Sequence, residues 1–304
     1  MTGACWSISV LRGGRRESGG RRESGGHREW TAPAGIPGLS NAEPAHSGPH
    51  SFEQLFSRSP DLVLNTASVG KVLLLLHIAQ LIDSGALDPA ERLSRTPADS
   101  VADSGLWQYL ATDTLPVSDL CELVGIVSDN LATNVLLRRV GLPAATATGA
   151  GLQVTALHDR VRDVRDVGDP PTLSSGNGAE LAALLAAMAA GTVPGGRRVL
   201  EWLGKGADLS QVAAGWGLDP LAHRNPDRGL VVANKTGTDG GIRAEVGVLT
   251  GPGAIIAYAV IANWTESPGT DSRQLVHDRQ RQVGLLVADA ARGADPAWES
   301  VPDC

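Results

Sequence analysis

The chain has 304 residues, of which 42% are hydrophobic, enough for one large domain or two lobes around a real core. A net charge of −7 and an aromatic content of 4% argue against a nucleic-acid partner, which would need a basic surface and rings for base stacking. No apolar stretch reaches the roughly 18 residues of a membrane span, so we expect none.

The first residues predict a strand. Residues 1–11 contain no cationic start followed by an apolar core, so they do not match a secretion signal, and the cellular location stays open. Residues 6–11 alternate like a half-buried strand. We therefore assign residues 1–11 to the first strand of a sheet.

A repetitive segment follows. The unit G-G-R-R-E-S occurs twice from Gly13, with a partial third copy, and residues 31–51 are rich in Pro, Gly, Ser and His. Arg-rich repeats can bind nucleic acid, but Glu balances these and Gly dilutes them. We expect residues 12–51 to be a disordered, functionally silent insertion.

Hydrophobic periodicity predicts helices in the middle of the chain and strands towards its end. Helices are expected at 69–84, 117–127, 131–140, 179–190 and 271–291, with short ones at 199–203 and 208–213. Strands are expected at 230–236, 242–249 and 255–262, joined by Gly-rich turns that favour antiparallel hairpins. The predicted fold is α/β (α+β): an antiparallel sheet flanked by helices beside an all-helical lobe, with the ligand cleft between the lobes. Residues 293–304 are expected to form a flexible tail.

The three cysteines, Cys5, Cys121 and Cys304, are widely spaced and form no metal-ligand pattern. Cys121 lies in an apolar helix and is expected to be a buried free thiol. We expect neither a metal nor a cofactor.

Three short strings carry the chemistry: Ser68-Val69-Gly70-Lys71, Ser128-Asp129-Asn130 and Lys235-Thr236-Gly237. Each string alone is a weak signal; Ser and Asp, for example, are ordinary residues at the start of a helix. Their first residues are separated by 60 and 107 positions, and each string lies at the edge of a predicted element. In that order and at those separations they predict the active site of a serine acyltransferase.

Ser68 and Lys71 lie three residues apart, so on a helix their side chains share one face. A serine hydroxyl becomes a good nucleophile when an adjacent base takes its proton. Lys71 can be that base only when neutral, which for a lysine of ordinary pKa costs about 4 to 5 kcal/mol at pH 7. Burial and a second cation, for which Lys235 is the candidate, both lower that cost.

Over residues 57–292 the chain resembles the class A β-lactamase family of penicillin-recognising serine enzymes. The likeness rests on the three strings and extends to 105–110, 129–134, 157–185 and 242–248. It implies a β-lactamase/transpeptidase-like catalytic domain at 57–292 and a small-molecule substrate, a β-lactam or related amide or ester. We expect a monomer.

The resemblance also implies roles for the matching residues. Ser68 would be the acylated nucleophile, Lys71 its proton acceptor and Ser128 the proton relay to the departing lactam nitrogen. Lys235 completes the catalytic set; with Thr236 it would hold the substrate carboxylate, and Arg243 would help. The backbone N–H groups of Ser68 and Thr238 would form the oxyanion hole. The positions implied to bind or border the substrate are Asn130, Thr236, Gly237, Thr238, Arg243 and Trp107.

The chain departs from the family in the loop that supplies the deacylating glutamate. Residues 155–172 contain no glutamate, and alignment on Arg160 places Arg162 at that position. A guanidinium cannot act as a general base. Asp163, one residue further, and Asp166 are candidates, although solvated loop residues are the commoner interpretation of such a pattern. The sequence therefore predicts acylation at Ser68 and slow deacylation.

Three functions remain open from the sequence. The first is a serine hydrolase that opens β-lactams through a Ser68 acyl-enzyme. The second keeps the Ser68 chemistry but acts as a penicillin-binding D,D-peptidase-like or esterase-like enzyme. The third is a non-catalytic ligand-binding or degenerate homologue with an intact fold.

Overall fold

Strands from both ends of the chain meet in one antiparallel sheet. The computed structural model describes residues 3–14, 51–142, 152–222, 226–265 and 271–301. The strands among these residues are β1 (Cys5–Gly14), β2 (Ser51–Arg58), β3 (Leu64–Asn65), β4 (Arg92–Ser94), β5 (Thr114–Pro116), β6 (Ala156–Leu157), β7 (Ser174–Gly176), β8 (Val231–Asp239), β9 (Ile242–Thr250) and β10 (Ile255–Asn263).

Six α-helices are found in the described ranges, and they agree closely with the sequence pattern. They are α1 (Lys71–Asp83), α2 (Val117–Val127), α3 (Asn130–Val140), α4 (Gly178–Ala189), α5 (Gly196–Leu203) and α6 (Ser272–Ala291). None of the helices in the described part of the chain combines the length and apolarity needed to cross a bilayer.

The main sheet has the order β2-β1-β10-β9-β8, so β8 lies at an edge. In the antiparallel registers, Trp6 of β1 lies opposite Ala262 of β10, and Lys235 of β8 lies opposite Val246 of β9. The central strand β10 is almost continuously apolar because both faces of the sheet are covered. Helix α6 packs on one face and α4 on the other.

Helix α1 forms the centre of the helical lobe. Its run of four leucines, like Val72 and Ile78, is fully or almost fully buried. A helix that is apolar on all sides can be stable only when other elements surround it, and here α2, α3 and α5 contact it or pack within the same core. Cys121 of α2 is a buried free thiol, as predicted.

The predicted insertion is too long at both ends. Strand β1 continues to Gly14, and residues 51–58 form β2, which pairs with β1 from Gly14 opposite Ser51 to Ile8 opposite Arg58. The alternation at 6–11 does not show where the strand ends, because glycines carry no side chain to continue the pattern. The remaining residues of the predicted insertion, 15–50, lie outside the described residues.

The prediction of a flexible tail is wrong for residues 293–301. Trp298 lies in a 3-10 helix, is 9% exposed and stacks on Phe56 of β2, with ring centroids 5.0 Å apart. Val301 is also buried. Residues 302–304 lie outside the described residues. The predicted helix at 208–213 is wrong too, because the helical turn is a 3-10 helix at Val212–Gly215.

Candidate active site

Ser68 lies in a short 3-10 helix, Ala67–Gly70, that leads directly into α1. The preceding Ala67 has φ of +46°, a conformation that costs a non-glycine residue about 1 to 3 kcal/mol. Ser174 of β7 holds it there: its hydroxyl donates to the Ala67 carbonyl at 2.6 Å, and its backbone carbonyl accepts from Thr66 N–H at 3.1 Å. This turn brings Ser68 to the wall of a cleft.

Lys71 begins α1, one turn after Ser68, and is fully buried. Its ammonium donates to the Ser128 carbonyl at 2.7 Å, the Ser128 hydroxyl at 3.1 Å and Oδ1 of Asn130 at 2.7 Å. Burial, and secondarily the charge of Lys235, hold the pKa of Lys71 well below its usual value, while Asp129 acts in the opposite direction. These are the two effects expected from the sequence.

The surroundings of Lys71 suit both of its protonation states. The Ser128 carbonyl and the Asn130 amide oxygen can only accept hydrogen bonds, whereas a hydroxyl can donate or accept. A neutral Lys71 can therefore keep both donated bonds and turn its lone pair towards a serine hydroxyl. Lys71 can therefore be accommodated here with or without its extra proton.

A left-handed turn places Ser128 beside Lys71. Ser128 joins α2 to α3 with φ of +58°, as the predicted interhelical turn requires. The next residue, Asp129, caps α3 by accepting from Ala132 N–H at 2.9 Å, and it also accepts from the N–H groups of Leu106 and Trp107. Asp129 is therefore a structural anchor that fixes the turn.

The third string lies on the edge strand β8, where it faces the Ser68 turn. Lys235 is buried, and burial lowers its pKa to about 8 against the opposing effects of Asp208 and Glu245. Gly237 packs against the backbone of Thr66. The helical lobe and the sheet thus meet directly at the nucleophile.

The two lobes border an open cleft. Its walls carry five of the ten residues predicted to react with the substrate or to bind it. Those from the three strings, with Thr238, are Ser68, Ser128, Lys235, Thr236 and Thr238, and Ser104 and Asp208 also line the cleft. Ser68 and Thr238, whose backbone N–H groups are predicted to form the oxyanion hole, border the same space.

Three predicted substrate contacts are placed differently. Trp107 is fully buried and its indole N–H donates to the Thr112 carbonyl at 2.9 Å, so its side chain belongs to the core and not to the cleft. Asn130 is buried and uses its amide on Lys71 and, at 2.9 Å, on the Ala102 carbonyl. The burial of Trp107 and the hydrogen bonds of Asn130 within the protein both depend on the tertiary structure, so the sequence motifs do not show them.

Arg243 also lies away from the cleft wall. Its guanidinium donates to the carbonyls of Asp239 at 3.0 Å and Ile242 at 2.7 Å and lies over the Trp264 ring. Its Nε faces Nε2 of His277 at 3.3 Å. In this arrangement Arg243 supports the turn after β8.

The loop at 157–173 brings none of its charged side chains to the cleft wall. Arg162 pairs with Asp159 at 2.7 Å and Asp169 at 3.0 Å. Asp163 is exposed and accepts from Ala102 N–H at 2.8 Å, while Asp166 is likewise exposed. Neither aspartate is among the residues that line the cleft, and a role for either in deacylation stays a prediction.

Sequence reasoning missed the residue that anchors this loop. Asn134 of α3 donates to the Val161 carbonyl at 3.0 Å and accepts from Val161 N–H at 2.9 Å. This double hydrogen bond fixes the backbone immediately before Arg162. Asn134 lies in the stretch 129–134, which the family resemblance includes. That stretch was the one signal in the sequence that could have pointed to Asn134.

Asp208 is a second residue near the site that the sequence did not single out. It lines the cleft and accepts a 2.6 Å hydrogen bond from the Thr236 hydroxyl. Burial alone would raise the pKa of Asp208, but hydrogen bonds from Ser210 and Thr236 and the nearby Lys235 outweigh burial and lower it. The sequence pattern placed Asp208 in the predicted helix at 208–213. In the structure it lies in a loop without regular secondary structure.

No group of three His, Cys, Asp or Glu side chains that could hold a metal is found in the ranges that the structure describes.

Known structures share this architecture. A β-lactamase from Sphaerobacter thermophilus DSM 20745 is 20% identical, with a TM-score of 0.67, and the match covers 94% of this chain and 91% of that one. A mutant of PBP-A, solved as an acyl-enzyme complex with penicillin G, is 18% identical with a TM-score of 0.65 and coverages of 95% and 90%.

A mutant class A β-lactamase of the last common ancestor of Gram-negative bacteria, bound to a transition-state analogue, is 22% identical with a TM-score of 0.67 and coverages of 95% and 94%. These likenesses establish the fold. No curated protein matches the sequence significantly. The family model described as "Beta-lactamase enzyme family" matches residues 49–286, most of the chain. The chain belongs to the β-lactamase enzyme family.

Proposed function

We propose that this protein is a serine hydrolase of the class A β-lactamase type, acylated at Ser68 by β-lactams and slow to hydrolyse the acyl-enzyme. One observation carries the proposal: Lys71 is buried one turn from Ser68, its pKa is lowered, and it lies 3.1 Å from the Ser128 hydroxyl. A lysine without a nearby negative partner strong enough to hold its proton is suited to act as a base.

Acylation follows from this arrangement. Neutral Lys71 takes the Ser68 hydroxyl proton as Oγ attacks the lactam carbonyl carbon, and the N–H groups of Ser68 and Thr238 stabilise the oxyanion. As the intermediate collapses, the carbon–nitrogen bond breaks and the Ser68 ester forms. The lactam nitrogen receives its proton from the Ser128 hydroxyl, which Lys71 reprotonates. Lys71 therefore ends the step neutral.

Hydrolysis of the ester needs a base that activates water next to the ester carbonyl. The loop at 157–173 contributes no side chain to the cleft wall, and Arg162 is engaged by Asp159 and Asp169. A catalytic group misplaced by about 1 Å can lower the reaction rate on the order of 100-fold. Here no basic side chain of the loop lies on the cleft wall at all. We therefore expect the acyl-enzyme to persist.

The same observation favours a second candidate, a penicillin-binding D,D-peptidase-like or esterase-like enzyme. Such an enzyme forms the Ser68 ester but passes it to another acceptor or acts on ordinary esters. The PBP-A mutant with this fold was captured as a penicillin G acyl-enzyme, which is compatible with either candidate.

Mass spectrometry of the intact protein with penicillin G, followed over time, separates these functions. Under the leading proposal an adduct forms in the wild type, is absent in Ser68→Ala, and decays slowly, with steady turnover of a chromogenic cephalosporin. A permanent adduct without turnover, or esterase activity alone, favours the second candidate. A folded protein that forms no adduct at all contradicts both and indicates a non-catalytic homologue.

A further inference from the structure

Two fully buried glutamine side chains connect helix α6 to the edge strand β8. The side-chain amide of Gln280 on α6 donates to Oε1 of Gln211 at 2.9 Å. The amide nitrogen of Gln211 in turn donates to the Gly237 carbonyl at 3.2 Å and to the Thr238 hydroxyl at 3.3 Å. Neither glutamine is exposed and neither lines the cleft. The chain of hydrogen bonds that they form nevertheless ends at Thr238, a predicted donor of the oxyanion hole.

The Gly237 carbonyl determines the direction of this chain. A carbonyl oxygen only accepts hydrogen bonds, so the amide nitrogen of Gln211, and not its oxygen, must face β8. The Gln211 oxygen is then turned towards Gln280, which supplies a donor. A buried amide group without a partner is costly, so Gln280 holds Gln211 in this one orientation.

The backbone next to Gln211 is fixed to the sheet as well. Gln211 precedes the 3-10 helix Val212–Gly215, and Glu245 of β9 accepts from the N–H groups of Val212 at 2.7 Å and Ala213 at 3.3 Å. Strand β8 is the edge strand, so it pairs with β9 on one side only. Gln211 therefore adds a second, rigidly held contact to the part of β8 that borders the nucleophile.

The Gly237 carbonyl and the Thr238 N–H belong to one peptide group. Such a group is planar and trans, so its C=O and N–H point in opposite directions. A hydrogen bond that holds the carbonyl therefore also sets the direction of the Thr238 N–H. It also polarises the peptide group, because hydrogen bonds in a chain strengthen one another. Both effects favour a donor that stabilises developing charge, since a preorganised donor need not reorient during the reaction.

We infer that Gln211, supported by Gln280, is a positioning residue for the oxyanion hole: through the Gly237 carbonyl it directs and strengthens the Thr238 N–H donor. The inference deepens the proposed function and rests on it for the reaction that the oxyanion hole serves. The oxyanion develops only as Ser68 attacks, so loss of the Gln211 amide should slow acylation and hardly change the binding of intact penicillin G.

Gln211→Met tests the inference, because methionine keeps the length of the side chain and has no amide donor. We expect the penicillin G adduct to form at least about tenfold more slowly. When Gln211→Met is added to Ser68→Ala, the affinity for penicillin G should change less than about threefold. Gln274→Met, which replaces an exposed glutamine of the same helix α6, is the matched control and should leave the acylation rate unchanged.

Infrared spectroscopy of the acyl-enzyme separates positioning from a general loss of structure. Hydrogen bonds to an ester carbonyl lower its stretching frequency, so the carbonyl band reports on the oxyanion hole directly. With penicillin G isotopically labelled at the lactam carbonyl carbon, the band should move to higher frequency in Gln211→Met and, by a smaller amount, in Gln280→Met. Because Gln280 acts through Gln211, the double variant should behave like Gln211→Met alone. Circular dichroism checks the fold, and Gln280→Met carries the test if Gln211→Met does not fold.

Acylation as fast as in the wild type, or slower acylation with an unshifted carbonyl band, would overturn the inference, while the wild-type adduct would keep the proposed function. A wild type that forms no adduct would instead reject the proposed function. The nuclear magnetic resonance signal of the Thr238 amide nitrogen in the unliganded protein then tests the positioning by itself. It should shift in Gln211→Met and stay in place in Gln274→Met; a signal that does not respond to Gln211 would reject the positioning as well.

Discussion

Gly237 lies so close to Thr66 that a Cβ atom at Gly237 would be 2.2 Å from the Thr66 carbonyl oxygen. Real Cβ atoms do not approach this closely, so only glycine allows β8 to pack on the turn before Ser68. The contact joins the sheet to the helical lobe at the point where the nucleophile and the predicted oxyanion hole meet. The glycine of the third string is therefore required by packing.

Gly237→Ala should separate β8 from this turn. We expect the free energy of unfolding to fall by about 1 to 3 kcal/mol, the usual cost of overpacking, and Ser68 acylation to slow. Denaturant unfolding and adduct formation measure the two effects. Gly240→Ala is the matched control, because a Cβ there meets no atom within 4 Å. A Gly237→Ala variant as stable and as active as the wild type would contradict the packing argument.

Lys71→Ala should remove the base. General-base contributions are typically about 100- to 10,000-fold, so the rate of penicillin adduct formation should fall by that range. Circular dichroism checks that the fold survives the loss of the Lys71 hydrogen bonds. Lys205→Ala, which removes an exposed lysine paired with Glu122, is the control. Unchanged adduct formation in Lys71→Ala would exclude Lys71 as the base.

Lys235→Ala should weaken substrate binding and also change the pH dependence. The positive charge of Lys235 lowers the pKa of Lys71, so its removal raises that pKa. Since neutral Lys71 is the active form, the rising limb of the acylation rate should move to higher pH. Single-turnover acylation across about pH 5 to 10 measures this shift. A limb that stays in place would show that the two lysines are not coupled.

Glu245→Gln should change how stability depends on pH. Burial raises the pKa of Glu245 to about 7, against hydrogen bonds from Tyr258 and Asn234. The native state therefore keeps the proton to higher pH than the unfolded chain, and the free energy of unfolding falls between about pH 4.5 and 7, by up to about 3 kcal/mol.

Urea unfolding at several pH values should show this fall in the wild type and a flatter profile in Glu245→Gln. The exposed Glu53 of β2 offers the control, since Glu53→Gln removes a carboxyl group without altering the buried network. Identical slopes in the wild type and Glu245→Gln would mean that the carboxyl is ionised in the native state at acidic pH.

Asp163→Asn and Asp166→Asn should leave deacylation unchanged within about twofold, because neither carboxylate lines the cleft. The decay of the penicillin adduct measures the rate. Asp163→Asn keeps an oxygen that can accept from Ala102 N–H, so the loop should retain its position. A tenfold slower decay, about 1.4 kcal/mol, in either variant would show that the loop does deliver a base.

The helices and the late strands follow from sequence because their signal is local. In α1 and α2 the apolar periodicity and the turn residues that bound them occur within a few positions. The same holds for the strand–turn–strand unit of β8 and β9, where Gly240 and Gly241 mark the turn. Strand β2 was not predicted, because the Gly-, Arg- and Pro-rich segment 15–50 separates it in sequence from its partner β1.

The sequence by itself predicted which groups meet at the cleft, since Ser68 and Lys71 are one helical turn apart and the other two strings lie at element edges. The tertiary structure alone decided which neighbours these groups have. It buried Trp107, directed Arg162 at Asp159, and placed Asp208 against Thr236. Asp208 and Thr236 lie 28 residues apart, and even the short-range pair of Arg162 and Asp159 depends on the course of its loop, so local periodicity encodes neither contact.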